Sequence, residues 1–221
     1  MDLSIVIPYR YTEGLREDNF QFIKKYYQSK FPKSEIVLGL DDGKGDFKRS
    51  HAINNGVRKS KGDAILINDA DIFISKEAIM KGIKLLKESP FIIPWGRCLD
   101  LTREKCRELL IRGPPENLEE LNKHHWFIRD IRPGNTTFVY EKCAGGIQLI
   151  TKSFFKEIGG YDERFKKAGF EDTEFCLRIQ HSLGDYSLFE DECCYHLFHE
   201  RQAVNYFDNQ ALFKELIKKF D

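Results

Sequence analysis

A chain of 221 residues is long enough for one large domain or two small ones, and it buries roughly 70% of the surface its unfolded form would expose. Apolar residues at 41% and aromatics at 13% exclude a disordered or fibrous protein. Thirty-five basic and thirty-five acidic residues cancel to a formal charge of zero, so no nucleic-acid partner is expected and any bound anion has to be held by local groups.

The amino terminus, Met1-Asp2-Leu3-Ser4, has neither the basic stretch nor the apolar region of a signal peptide. No uncharged run approaches the ~18 residues that span a bilayer, so no integral membrane segment is expected. Residues 3–8, LSIVIP, form a short apolar run rich in β-branched side chains, the pattern of a strand buried on both faces. Over residues 14–30 the apolar Leu15, Phe22, Ile23 and Tyr26 recur near helical spacing, ended by Pro32. A second buried strand is expected at 36–40, a helix at 48–59 and a third strand at 64–67. Ser75 is placed to cap a helix carrying Ile79, Ile83 and Leu86, and residues 91–94 read as a fourth strand. Strands alternating with helices predict parallel βαβ units and an α/β fold with a doubly wound sheet, in which ligands collect at the carboxyl ends of the strands.

Residues 96–142 hold Pro114, Pro115 and Pro133 with only weak helical patterns, and are expected to be an insertion or a partly mobile segment rather than sheet. Order returns at Cys143. The run from Ala144 to Ile150 reads as loop then strand, and Thr151 caps a helix bearing Phe154, Phe155 and Ile158 that Gly159-Gly160 ends. An amphipathic helix over 172–183 stops at Gly184, two short strands follow around 186–189 and 194–198, and a last helix carries Tyr206, Phe213, Leu216 and Phe220. Six cysteines without a C-x-x-C pair are expected to be reduced thiols, with Cys193 and Cys194 facing opposite ways along a strand.

Several short patterns bear chemistry. Asn68-Asp69-Ala70-Asp71 places two carboxylates at the edge of a buried strand, where they suit a hard cation or simply form a turn. His196 and His199, three apart beside a strand end, offer imidazoles to a transition metal or sit as satisfied core residues. Asp172 either caps its helix or aims an ionised carboxylate at a pocket where it can take a proton from a hydroxyl, with Glu171 orienting substrate or solvated beside it. Arg10 and Arg49 are placed to meet a phosphate or a base edge, and Phe47 to stack on a ring. Trp95 and Trp126 are candidate sugar-stacking platforms, and Glu200, Arg201, Gln202 and Asn205 a candidate lid.

Taken in order, Ile7-Pro8-Tyr9-Arg10, Phe47-Lys48-Arg49-Ser50 through Asn55-Gly56, Asp69-Ala70-Asp71, Gly145-Gly146 with Thr151-Lys152, Gly159-Gly160-Tyr161 through Gly169-Phe170-Glu171-Asp172, and His196 with His199 resemble the motifs of the GT-A glycosyltransferases. The likeness is to the inverting β-1,4-galactosyltransferase and chondroitin-polymerase-like N-acetylgalactosaminyltransferase group, with relatives in glycosyltransferase family two. It covers most of the chain apart from the middle segment. It implies a single GT-A domain with a nucleotide-binding half at 1–95, a variable insertion at 96–142 and an acceptor and catalytic half at 143–221.

The resemblance further implies that Pro8, Tyr9, Arg10, Phe47 and Arg49 line a uridine and diphosphate site, that Asp41 reads the base, and that Asp69 meets the ribose. Asp71, His196 and His199 would hold Mn2+ or Mg2+, Asp172 would be the catalytic base, Glu171 would bind acceptor or donor hydroxyls, and Gly146 would pass close to the donor sugar. Thr12 replaces a second arginine after the opening motif, and Lys166-Lys167-Ala168-Gly169 replaces a tryptophan-glycine loop. Cys143 stands where the group has a bulky aromatic, which predicts room for an N-acetyl group on the donor. The implied activity is transfer of galactose, N-acetylgalactosamine or a related hexose from a UDP-sugar to a glycan hydroxyl in polysaccharide biosynthesis, in a cytoplasm of bacterial or viral origin. The alternatives are a nucleotidyltransferase, or a non-catalytic relative that binds nucleotide sugar or glycan.

Overall fold

The computed structural model describes residues 1–135, 142–167, 169–200 and 206–219, without the side chain of Tyr206. The opening apolar run forms β1 (Leu3–Tyr9), buried from Leu3 to Pro8 because neighbours cover both of its faces. It is followed by α1 (Leu15–Lys30), β2 (Glu35–Leu40), α2 (Arg49–Lys59) and β3 (Ala64–Asn68). β1 pairs parallel with both β2 and β3. The approach of α2 depends on two glycines: a Cβ on Gly39 would lie 2.1 Å from the Ala52 carbonyl oxygen, and one on Gly56 2.4 Å from Val6 Cγ1. That contact sets Arg49, the first residue of α2, over the carboxyl ends of the strands.

Ser75 does cap α3 (Lys76–Leu85), accepting from the Ala78 N–H. β5 (Phe91–Ile93) does not join β3 directly. Between them lies β8 (Ile147–Thr151), antiparallel to both, so the larger sheet runs β2-β1-β3-β8-β5-β9, with β9 (Ser187–Leu188) at its far edge. The sheet is thus mostly parallel, as expected, with one reversed strand supplied by the second half of the chain. Thr151 caps α5 (Lys152–Glu157) through the Phe154 N–H, and α6 (Glu171–Leu183) ends at Gly184, whose φ is +81°.

The middle segment departs from its expectation of lying outside the sheet. It supplies β6 (Arg97–Leu101), α4 (Arg103–Arg112) and β7 (His125–Asp130), and both strands belong to a second sheet ordered β4-β10-β6-β7, with β4 (Ile72–Ile74) and β10 (Cys193–His196). The reason is visible in β6, RCLDL, whose charged Asp100 is buried among polar partners rather than apolar ones, so the run lacks the pattern of a core strand. Cys98, Leu99, Leu101, Cys106, Leu109 and Leu121 are all buried and join the main core. Core side chains of this kind contribute about 1.5–3 kcal/mol each when fully buried.

A smaller cluster of Phe165, Phe213 and Leu216 seats α7 (Tyr206–Ile217), and Phe170 stacks on Phe213 with ring centroids 5.1 Å apart. Phe220, expected on the same helix, lies outside the described residues. All six cysteines are free, and Cys194 is buried while its neighbour Cys193 is half-buried. Among the described residues, no helix is long and apolar enough to cross a membrane.

Candidate active site

The Asp69-Ala70-Asp71 turn carries the chain from β3 of one sheet to β4 of the other. Asn68, fully buried, builds it: its amide donates to the carbonyls of Asp69 (2.7 Å) and Ile72 (2.8 Å) and accepts from the Tyr27 hydroxyl (2.7 Å). The Asp69 N–H donates to the Gly146 carbonyl, and the Asp71 carbonyl accepts from Leu197 N–H, each at 2.8 Å. One aspartate is latched to the entry of β8 and the other to the exit of β10.

Asp71, His196 and His199 converge. The Nε2 atoms of the two histidines are 3.2 Å apart, and they lie 3.6 Å (His196) and 3.1 Å (His199) from the Asp71 carboxylate oxygens. One ligand atom from each lies within 4.8 Å of the others, the spacing of groups that hold one cation. Both imidazoles turn Nε2 inward, because their Nδ1 atoms are occupied: His196 Nδ1 meets Asp100 Oδ1 at 2.8 Å, and His199 Nδ1 meets Arg16 at 3.0 Å and the Glu200 carbonyl at 2.9 Å. Two imidazole nitrogens and a carboxylate oxygen form a donor set that fits a divalent transition metal. Burial disfavours charge on Asp71, yet the imidazoles outweigh it and hold its carboxyl well below the ordinary range. Burial also opposes an imidazolium at His196, but Asp71 and Asp100 prevail and raise its pKa to about 9.

On the other side of the turn, Arg49 is buried among three carboxylates. It meets Asp69 Oδ1 at 2.8–2.9 Å, Asp172 Oδ1 at 2.8 Å and Glu171 Oε1 at 3.5 Å. Asp172 Oδ1 also accepts from the Tyr161 hydroxyl at 2.9 Å, and the same hydroxyl contacts Gln148 Oε1 at 2.6 Å. Of the two readings of Asp172, the helix cap does not hold: Phe170, with φ +67°, occupies the N-cap position without a side-chain cap. The paired glycines have separate jobs. A Cβ on Gly145 would lie 1.9 Å from Asp172 Oδ2, and Gly146 turns the chain at φ +89° beside Ile72. Burial lifts the Glu171 carboxyl to about 7, helped by the charge of Asp172 and opposed by Arg49. Asp69 is likewise raised by burial to about 6, with Arg49 opposing and the carboxylates of Asp172 and Asp71 adding to it.

The remaining predicted residues gather at the ends of β1 and β2. Pro8 is paired with Gly39 in register, and Tyr9 donates to Glu17 Oε2 at 2.7 Å while its ring packs 4.1 Å from Phe20. Arg10 is held by a two-point contact with Asp41 and by the Gly45 carbonyl at 2.6 Å, with its guanidinium 5.6 Å from the Phe47 ring centre. Asp41 also accepts from the Lys48 N–H, which ties this group to the start of α2.

One expectation fails for a packing reason. Trp95 is no stacking platform: it is buried and its indole donates to the Ile147 carbonyl at 3.0 Å. Cys143 is buried against Cys176 and Tyr186. Trp126 is 55% exposed on β7. Of the expected lid, Arg201, Gln202 and Asn205 lie outside the described residues, as does Ala168 in the loop before Asp172. Sequence reasoning missed Asn68 as a builder of the turn, Tyr161, Asp100 and Asn209; the buried Asn209 amide donates to the Lys166 and Gly169 carbonyls at 2.9 Å. Asn68, ahead of Asp69-Ala70-Asp71, and Tyr161, directly after Gly159-Gly160, stand in the sequence only as parts of motifs.

A mostly parallel sheet whose strand ends carry a D-x-D turn defines the GT-A class of glycosyltransferase folds. Drosophila β1,4-galactosyltransferase 7, crystallised with xylobiose, shares this fold with a TM-score of 0.56 at 18% identity, over 96% of this chain and 79% of that one. GalNAc-T7, with UDP, GalNAc and Mn2+, aligns with a TM-score of 0.58 at 12% identity over 98% of this chain and 47% of that one. Staphylococcus aureus TarS aligns with a TM-score of 0.56 at 14% identity over 90% of this chain and 37% of its own. The sequence matches no curated protein. Residues 18–158 match the model of glycosyl transferase family 2, and residues 127–200 match the N-terminal domain of galactosyltransferase. The chain belongs to glycosyl transferase family 2 and is a glycosyltransferase.

Proposed function

We propose that the protein is an inverting, metal-dependent transferase that moves galactose, N-acetylgalactosamine or a related hexose from a UDP-sugar to a glycan hydroxyl. The observation that carries this reading is the placement of two distinct charge sites on one turn: the Asp71, His196 and His199 cluster on one side and the Arg49-held Asp172 on the other. Support for the donor class comes from the neighbours, since β1,4-galactosyltransferase 7 was crystallised as a mutant with manganese, UDP-Gal and xylobiose, and GalNAc-T7 with UDP, GalNAc and Mn2+.

Asp71, His196 and His199 would hold Mn2+ or Mg2+, whose positive charge would offset the charge that develops on a departing diphosphate, and the two imidazoles favour Mn2+. Tyr9, Arg10, Phe47 and Asp41 bind the nucleotide at the ends of β1 and β2, and Asp69 meets the ribose. Gly146 leaves room for the donor sugar, and Glu171 binds a substrate hydroxyl. We assign Arg49 to holding the carboxylates rather than to contacting the diphosphate, because its guanidinium is enclosed by Asp69, Glu171 and Asp172.

Asp172 takes the proton of the attacking hydroxyl. Its two oxygens divide the work: Oδ1 is fixed by Arg49 and Tyr161, while Oδ2 lies against Gly145, at a place a Cβ there would take. Inversion follows from a single displacement, in which the hydroxyl attacks the anomeric carbon opposite the departing diphosphate as its proton passes to Oδ2. General-base removal is worth about a hundred- to ten-thousandfold. Asp172→Asn is expected to lose turnover by that factor while keeping nucleotide affinity within about threefold, in a UDP-release assay with UDP-Gal, UDP-GalNAc and UDP-Glc, with and without chelator. Near-normal turnover in the variant removes Asp172 from the role, and chelator-insensitive turnover removes the metal from the reading.

A further inference from the structure

We propose that Asp100, clamped by Arg129, is a positioning residue that locks His196 in the ligand tautomer, so that the middle segment is the scaffold of the cation site. This rests on the reading of Asp71, His196 and His199 as metal ligands.

The geometry begins with strand register. Asp100 of β6 stands beside His196 of β10 in a parallel pair, and partners in such a pair project to the same face. Their side chains meet at 2.8 Å, Asp100 Oδ1 to His196 Nδ1. Asp100 is 3% exposed, so its contact is shielded from competing water. A carboxylate accepts only, and therefore Nδ1 must carry the proton and donate. That leaves Nε2, which faces Asp71 and His199, as the nitrogen that gives up its proton to a bound cation and offers the lone pair a ligand requires.

Asp100 is held in turn. Arg129 of β7 donates to Asp100 Oδ1 at 2.6 Å and to Cys98 Sγ at 3.0 Å. Arg129 is registered opposite Cys98, two residues before Asp100 on β6, so its guanidinium has to run along the strand to reach the carboxylate. The pairing of β6 with β7 shifts between Asp100 and Leu101, which marks a bulge at this position. The chain from Arg129 through Asp100 to His196 spans three adjacent strands of the second sheet, two of them from residues 96–142. The contact at the second histidine is of a different kind, since His199 Nδ1 meets Arg16 and a backbone carbonyl. Asp100 thus acts on one ligand only.

The test measures Mn2+ binding alone, by calorimetry and by electron paramagnetic resonance, on the full chain. Outer-shell partners of a ligating histidine typically affect metal affinity 10- to 100-fold. Asp100→Asn is expected to weaken Mn2+ binding by that factor, and Arg129→Met, which keeps the carboxylate but removes the Arg129 clamp, by about three- to tenfold. In the metal-free protein, nitrogen-15 labelled histidine should show a downfield, exchange-protected Nδ1 proton on His196 that disappears in Asp100→Asn. Wild-type affinity within threefold in a folded Asp100→Asn protein overturns the proposal. Should that variant fail to fold, unchanged affinity in Arg129→Met does so. Absence of the protected proton from the wild type overturns it independently of any metal. If the wild type shows the proton but binds no Mn2+, the metal reading falls and the orienting contact stands.

Discussion

Replacing Arg49 by methionine removes the one cation enclosed by Asp69, Glu171 and Asp172 while keeping most of the side-chain volume. At an effective dielectric of about 20, opposite unit charges ~4 Å apart attract by about 4 kcal/mol. Arg49 makes three such contacts, but the carboxylates also repel one another, so the net loss is well below the sum. Breaking a buried ion pair from one side costs about 3–5 kcal/mol, a large share of the ~5–15 kcal/mol that holds a domain together. The loss must depend on pH. Burial already lifts Glu171 to about 7 and Asp69 to about 6, with Arg49 opposing both shifts. Without it both rise further, and the folded state binds protons that the unfolded chain releases. Stability in the variant therefore climbs as pH falls. Urea unfolding is expected to show a deficit of about 3–5 kcal/mol at pH 8 that shrinks by at least half at pH 5.5. A deficit below about 1 kcal/mol at pH 8, or one that does not change with pH, refutes the view that Arg49 neutralises this cluster.

Glu171→Gln is expected to reverse part of that pH dependence: a carboxyl lifted from 4.5 to about 7 destabilises the fold progressively as pH rises between those values, by up to about 3 kcal/mol at 1.36 kcal/mol per unit. Urea midpoints of the variant should be higher than wild type at pH 8 and equal at pH 4. Gly145→Ala puts a Cβ where Asp172 Oδ2 sits, so turnover in initial-rate assays should fall at least about a hundredfold, with a stability loss of about 1–3 kcal/mol by thermal melting. His199→Ala is expected to weaken Mn2+ and UDP together by about tenfold or more in calorimetric titrations, since the cation and the diphosphate it neutralises share that ligand.

The first half of the chain was legible because its strands are continuous apolar runs and its helices are periodic, and Ile5, Ile65 and Phe91 need only burial to find their places. The site carboxylates and histidines were legible as residue types in a fixed order. Their partners were not. Arg49 reads as a phosphate ligand in a motif, and only folding shows it enclosed by Asp69, Glu171 and Asp172, separated from it by 20, 122 and 123 positions. Asp100 breaks the apolar run of β6, so nothing in the 96–142 segment marks a strand and it reads as an insertion outside the sheet, although burial of Asp100 beside His196 and Arg129 is what fixes that strand. Trp95 misled for the opposite reason: an indole that looks adapted to sugar satisfies its N–H on the backbone of β8. Local pattern carries elements and motifs, whereas satisfaction of buried charge is a long-range property.

The spacing of Asp69 and Asp71 takes on a physical meaning from this. β3 ends at Asn68 in the larger sheet and β4 begins at Ile72 in the smaller one, so the three residues between them are the whole crossing. Asp69 is pinned to Gly146 of one sheet's entry loop and faces Arg49, while Asp71 is pinned to Leu197 after β10 and faces the histidines. In the proposed transfer, a proton is taken from the incoming oxygen and the outgoing diphosphate is neutralised without letting the two charges collapse onto each other. Putting Asp172 and Arg49 on one side of a three-residue bridge and His196 and His199 on the other keeps them apart by sheet architecture. Asn68 holds both ends of that bridge with a single amide, and this explains a fully buried asparagine at the end of an otherwise apolar strand.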